Sequence, residues 1–299
     1  MLKAMFTVPL EYLHLPTVEE LPDSDETPVD NELQNDIPNI LLNLLRDIWE
    51  DRFDWFWGVD MAVYYEPNIE NPEESKAVVP DGFLALGVPR HIGESGRLSY
   101  SIWSEKVLPI LFFEVISKTY NSEYDEKLEL YQNLGIRYYV IYNPFSGKSL
   151  AYKDRSSLEV YQLVNGKYEL MPSISLLPEG GEMVWLEGVG LGIGCVRNEL
   201  YDWRREWLYW YDRDGVRYPT AKEQAAIAEA SSEQERFARR RAEAIAEQER
   251  NEKLLEREAK EQAEAIAEQE RNEKLQERQQ KEKLAAYLKS LGINPDEIP

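Results

Sequence analysis

Apolar positions along this chain change period several times, and each change predicts an element. Ile40, Leu41, Leu44, Leu45, Ile48 and Trp49 fall on one helical face, with Asp36 placed as a cap and Pro38 suited to a first turn. Residues 53–65, DWFWGVDMAVYY with its preceding Phe53, are aromatic and β-branched and predict a strand. A polar loop through Pro67 and Pro72 leads to a second strand run, AVVPDGFLALGV, which contains Asp81. Residues 90–107 carry turn formers and charges and predict a surface excursion, in which His91 is a loop residue. The run LPILFFEVIS is almost continuously apolar, as in a strand covered on both faces. Asn121 or Ser122 can cap a following helix that Gly135 ends, and Tyr124, Lys127, Tyr131 and Leu134 share its inward face. Residues 138–142 then form a strand closed by Asn143-Pro144.

The order helix, strand, strand, strand, helix, strand predicts an α/β domain with a mixed sheet and flanking helices. Asn165-Gly166, between two strand-like runs, predicts a hairpin. The Gly-rich stretch GGEMVWLEGVGLGIGC lacks the Gly-Lys-Ser/Thr ending of a phosphate loop, so it reads as tight turns between further short strands. After Tyr218-Pro219 the pattern changes: AEAIAEQERNEKLLER begins at residue 242 and recurs at 263 as AEAIAEQERNEKLQER, 21 residues or three heptads later. The coiled-coil seam this creates is poor, because Gln248, Glu252 and Gln262 interrupt Ile245, Leu255, Ala259 and Ile266. Glu249 with Lys253, Glu256 with Lys260 and Glu270 with Lys274 favour a long solvated helix that pairs weakly or through one end, and a homo-oligomer is expected. Four segments result: an N-terminal arm at 1–30, a folded domain at 31–218, a charged helical or coiled-coil extension at 219–290, and a tail at 291–299.

Composition sharpens this division. The hydrophobic fraction of 43% supports a true core, and of eight Trp and eighteen Tyr all but Tyr287 lie at or before Tyr218. The formal net charge of -22 argues against holding nucleic acid by bulk attraction, which leaves room for a local patch and metal ions. A single Cys195 excludes an internal disulfide framework and any multi-cysteine metal site, and reads as a small buried residue. The first residues, MLKAMFTVPLEYLHLP, do not form a secretory signal, and no run reaches the length of a membrane span, so a soluble cytoplasmic protein is expected.

Candidate chemistry comes from residues 108–144, where Glu114 and Lys127 break an apolar pattern, and from Asp81 upstream. Phosphodiester hydrolysis needs a nucleophilic water, neutralised phosphate charge and a stabilised leaving oxygen. An Asp and a Glu from adjacent strands suit a hard cation such as Mg²⁺, and a nearby lysine can balance charge and orient water. Taken singly, each residue has a structural reading: a turn at Pro80-Asp81, a buried Glu114–Lys127 ion pair, Tyr131 as core. Taken together, three charged residues interrupting three successive core elements point to a site.

VVPDGFLALGVP at 78–89, RLSYSIW at 97–103, FFEVISKTY at 112–120, KLELYQNLGIRYYVIYNP at 127–144 and WLYWYDRDGVRYPTAKEQA further on resemble the bacterial Uma-two family of restriction-endonuclease-like proteins, over about residues 55–221. The broader superfamily is the PD-(D/E)XK nucleases. The resemblance implies an αβββαβ core, metal-dependent DNA cleavage, Mg²⁺ or Mn²⁺ as cofactor, DNA as partner, and Asp81 and Glu114 as metal ligands. The lysine usually two residues after the acidic one is Ile116 here. Lys127 matches the variant in which that lysine has moved to the next helix, with Lys118 as runner-up. The alternative is a catalytically inactive nuclease-like scaffold whose helical tail mediates protein interaction or self-association.

Overall fold

A capping box starts the first helix earlier than its apolar period does. The computed structural model describes residues 15–22, 31–117, 122–148, 152–176, 180–290 and 292. Helix α1 spans Glu32–Ile48; the Leu33 N–H donates to Asn31 Oδ1 at 2.9 Å and the Asn31 N–H to Gln34 Oε1 at 3.2 Å. Two N-terminal donors are thus satisfied at Asn31, and Asp36 is not the cap. Pro38 lies inside the helix instead of in its first turn. It forfeits one backbone bond, and the burial of Ile37, Ile40, Leu41, Leu44 and Leu45 holds the helix together across it.

Residues 53–65 form two strands, not one. β1 (Trp55–Val59) ends where Asp60 takes a φ of 48°, and β2 (Val63–Glu66) leaves for a different sheet. There it pairs antiparallel with β3 (Lys76–Val78) and parallel with β5 (Tyr100–Ser101). The excursion at 90–107 is therefore only partly surface: residues 91–96 are exposed, while Tyr100, Ser101 and Trp103, at β5 and the short helix α2 (Ile102–Glu105), are buried.

The central sheet continues with β4 (Gly82–Leu86), β6 (Leu111–Val115), β7 (Tyr138–Tyr142), β8 (Leu158–Val164) and β9 (Lys167–Leu170), in the order β1-β4-β6-β7-β8-β9. β1, β4 and β6 form an antiparallel meander; β6 and β7 are parallel, joined through helix α3 (Glu126–Leu134). The αβββαβ order is thus present, with β2, β3, β5 and α2 inserted into it. Asp125 caps α3, later than Asn121 or Ser122, and Gly135 ends it at a φ of 86°. The hairpin joining β8 and β9 turns at Asn165 and Gly166, both with positive φ.

Each face of this sheet is covered. One carries α1 together with a second sheet of β10 (Ile174–Ser175), β11 (Glu182–Leu186), β12 (Leu191–Leu200) and β13 (Trp203–Tyr211). The Trp210 indole N–H donates to the Leu41 carbonyl at 3.0 Å, tying β13 to α1. The Gly-rich stretch is the β11–β12 hairpin, and Cys195 is buried within it. The other face carries α3 and the small sheet, with Val63, Phe83, Phe112, Tyr131 and Tyr139 in one cluster.

Gly58 shows how tightly that face is packed. A Cβ there would fall on the Phe83 ring. Gly58→Ala should lower stability by about 1–3 kcal/mol through overpacking, read as a lower urea midpoint at unchanged slope; an unchanged midpoint would show that Phe83 moves freely.

The chain divides into two compact units, Met1–Gln224 and Ala225–Pro299. Helix α4 (Ala221–Ser290) runs for 70 residues with none buried. Its closed ion pairs join an arginine to the glutamate four residues on: Arg239–Glu243, Arg257–Glu261 and Arg278–Glu282. The last two occupy matching positions in the 21-residue repeat. Among the described residues no helix is long and apolar enough to cross a membrane.

Candidate active site

Strand register brings the two acids together. Gly82 of β4 pairs with Phe113 of β6 in an antiparallel ladder, so Asp81, one residue before β4, lies across from Glu114. The link is direct: the Val115 backbone N–H donates to Asp81 Oδ2 at 2.6 Å. Pro80-Asp81 is thus both the lead-in to a strand and part of the site. A side chain at position 82 would meet the Trp57 ring at 2.8 Å, so the residue after Asp81 must be small.

Glu114 points toward α3, the same way as Phe112. Its two oxygens bond different side chains one helical turn apart. Lys127 Nζ donates to Oε2 at 3.0 Å, and the Tyr131 hydroxyl donates to Oε1 at 2.7 Å. The Tyr131 ring also stands edge-on to Phe112, with centroids 4.6 Å apart. Ile116 is fully buried in the same cluster. The cation at Glu114 therefore arrives from α3 instead of from the strand. Lys118, the alternative lysine, lies outside the described residues.

The electrostatics follow from burial. Asp81 is 8% exposed and Glu114 2%. Burial first, and then the Glu114 carboxylate, push the Asp81 carboxyl up to about 8, against the Val115 N–H and Lys127, which favour its charged form. At neutral pH Asp81 is therefore mostly protonated. Burial alone would lower the Lys127 pKa, but the charge and hydrogen bond of Glu114, with Asp81 and Glu123 behind, raise it above the ordinary lysine value. Lys127 is a fixed cation and donor, not a base. Burial and Glu114 keep the Tyr131 phenol protonated, as its donated bond requires.

Two further acids belong to this environment. Asp60 donates its N–H to the Asp81 carbonyl at 3.3 Å, and its charge acts on Asp81. Glu123 is 2% exposed, and its charge acts on Lys127. The polar run NSEYDEK gives no sign that one of its acids is buried. Asp60, inside an apparent strand, betrays itself only by interrupting the aromatic run.

Among the described residues no group of three or more His, Cys, Asp or Glu is placed to hold a metal. The donor set is two adjacent carboxylates, each with lone pairs beyond those already bonded. That set does not suit zinc, whose sites bring together three or four protein ligands that include His or Cys. It fits a hard cation that keeps several waters and takes one or two carboxylates, as Mg²⁺ does. Cation charge would also offset the burial and the Glu114 repulsion that together hold a proton on Asp81.

The model of the Uma2 (Uma-two) family, described as "Putative restriction endonuclease", matches residues 22–193, more than half of the chain. The chain belongs to the Uma-two family. Asp81, Glu114, Lys127 and Tyr131 all lie in the matched segment, whereas most of the β12–β13 hairpin and all of α4 follow it. Neither a curated protein nor a solved structure matches the chain. Family membership supports a nuclease-like protein and, through it, DNA as the partner.

Proposed function

We propose that this Uma-two protein is a cytoplasmic, Mg²⁺-dependent DNA endonuclease that hydrolyses phosphodiester bonds at Asp81, Glu114 and Lys127, with Mn²⁺ able to substitute. The observation that carries the reading is the meeting of two buried carboxylates from adjacent strands with one lysine held by a salt bridge. When bound, the cation supplies the positive charge and Lewis acidity that phosphodiester hydrolysis requires. Asp81 and Glu114 would hold it, Asp81 as the carboxylate with its proton released to water. Lys127, a permanent ammonium, donates toward the phosphate oxygens or the attacking water. Tyr131 is a positioning residue that fixes the Glu114 rotamer.

Supercoiled plasmid incubated with the purified protein and Mg²⁺ or Mn²⁺ should become nicked and linear, and Asp81→Ala and Glu114→Ala should leave it intact. Uncut plasmid with both metals, or variants that cut like the wild type, would overturn the reading.

A second reading is favoured by the apolar side chains standing out along α4. Ile245, Leu255 and Ile266 are 51%, 66% and 61% exposed. In that reading the nuclease-like unit is a scaffold and the helix drives self-association. Concentration-dependent oligomers that vanish without α4, from a protein with no affinity for Mg²⁺, would select it.

A further inference from the structure

The second sheet carries a cluster of positive charge that the catalytic residues do not use. A groove of about 620 Å³ is lined by Lys148, Arg197, Arg204 and Arg205, with Trp203 and the single acid Glu206. In a chain with 56 acidic residues against 34 basic ones, four cations in one place are a departure from the average. Among the described residues none of the four lies within ion-pairing distance of a carboxylate. Arg52, Arg97, Arg155 and Arg217 of the same unit each close on one. Arg197 and Arg204 do stand across the β12–β13 ladder from Glu206 and Glu199, but neither pair is closed, and the groove's lining keeps four cations against one acid.

Its parts are partly pre-arranged. Arg205 donates to the Tyr142 hydroxyl at 3.1 Å and to the Glu206 carbonyl at 2.9 Å, and its guanidinium lies 4.9 Å from the Trp203 ring centroid. Lys148 donates to the Pro144 carbonyl at 2.8 Å. Arg197 and Arg204 are exposed on the hairpin strands, and neither side chain bonds another described residue. Planar guanidinium groups match phosphate oxygens two at a time. Trp203, 41% exposed, offers an aromatic face beside them.

The groove lies at the same strand ends as the candidate active site but on the opposite face of the central sheet, because Tyr142 points to the second sheet and Glu114 to α3. Val115 of β6 pairs with Tyr142 of β7, and the groove begins at Tyr142 and Asn143. The ends of these neighbouring strands are about 4.8 Å apart, one interstrand spacing. Asn143 also donates to the Tyr124 hydroxyl at 3.2 Å, which ties the groove's turn to the segment leading into α3 and Lys127.

We propose that this groove binds the DNA phosphodiester backbone on the face of the sheet behind the cutting site, mainly through arginines of the β12–β13 hairpin. The identity of the polyanion rests on the endonuclease reading above. Arg197, Arg204 and Arg205 lie beyond the segment that matches the family model, whereas Lys148 and the turn after β7 lie within it.

Binding can be separated from cutting. The full chain is titrated, in EDTA, against a short fluorescein-labelled DNA duplex over a salt series, with anisotropy as the readout. Wild type should bind, with an affinity that falls as salt rises. Arg197→Gln/Arg204→Gln should bind at least about ten-fold more weakly at low salt, and its salt slope should drop by roughly 0.9 for each phosphate no longer neutralised. Arg239→Gln/Arg257→Gln, the same charge change on α4, should keep the wild-type slope. No binding by wild type, an unchanged slope in the groove variant, or equal losses in both pairs would each overturn the proposal. A slope that drops only in the groove variant of a protein that leaves plasmid uncut keeps the groove and removes the endonuclease.

Discussion

In EDTA at pH 8, Asp81→Asn will unfold at a higher urea concentration than wild type, and the gap will narrow toward pH 5. The cause is the raised Asp81 pKa. Folded, the carboxyl holds its proton to about pH 8; unfolded, it loses it near the ordinary value of 3.8. Between those values the folded state binds the extra proton, so stability falls as pH rises. The contribution is complete below about pH 4 and exhausted by about pH 8. Asparagine has no proton to hold, so that slope disappears, and its amide oxygen can still accept the Val115 N–H. With each pKa unit worth about 1.4 kcal/mol, and with relaxation around the site, the advantage at pH 8 should be about 2–4 kcal/mol. The same substitution removes one of two proposed cation ligands and should abolish metal-dependent nicking. A stability gap that stays constant from pH 5 to pH 8 would show that Asp81 titrates normally.

Glu114→Ala will act in the opposite direction on stability. It strips both the Lys127 ammonium and the Tyr131 hydroxyl of their shared acceptor. Tyr131 is wholly buried, and the Lys127 side chain is 21% exposed. Breaking a buried pair by removing one member typically costs about 3–5 kcal/mol, and the water reaching Lys127 favours the lower end. Glu114→Ala/Lys127→Met should recover part of the loss, because no charge is then left stranded. Urea unfolding of the two singles and the double gives the coupling directly. Additive effects would mean that the salt bridge contributes nothing to the fold, and that Glu114 and Lys127 are free to be held for chemistry alone.

The proposed catalytic trio is legible in the chain because each member interrupts an apolar stretch: Asp81 before FLAL, Glu114 within LFFEV, Lys127 on the helical stripe with Tyr131. Charges in such places are expensive, and expense is visible in a pattern. Elsewhere the pattern is ambiguous. Residues 53–65 are apolar on both sides of Asp60, so nothing in their period separates two strands that enter different sheets. Pro38 suggests a helix start, yet the Asn31–Gln34 capping box lies a full turn earlier and packing carries the helix through the proline. The β5 segment hides inside a charged stretch because only Tyr100 to Trp103 turn inward. The basic groove leaves no mark at all. Arg197, Arg204 and Arg205 sit among the polar residues of a hairpin's outer end, and only the meeting of that hairpin with the turn after β7 makes them a cluster with Lys148.

The Val115 N–H bond to Asp81 makes the candidate site a property of the main chain. Proteins open locally in cooperative units, and the central strands of a sheet are the last to open. With Asp81 fastened to the amide at the end of β6, and Gly82 fitted against Trp57, the Asp81 side chain is held by the sheet itself. The placement of Asp81 against the end of β6 is therefore maintained by the same free energy that keeps the sheet folded.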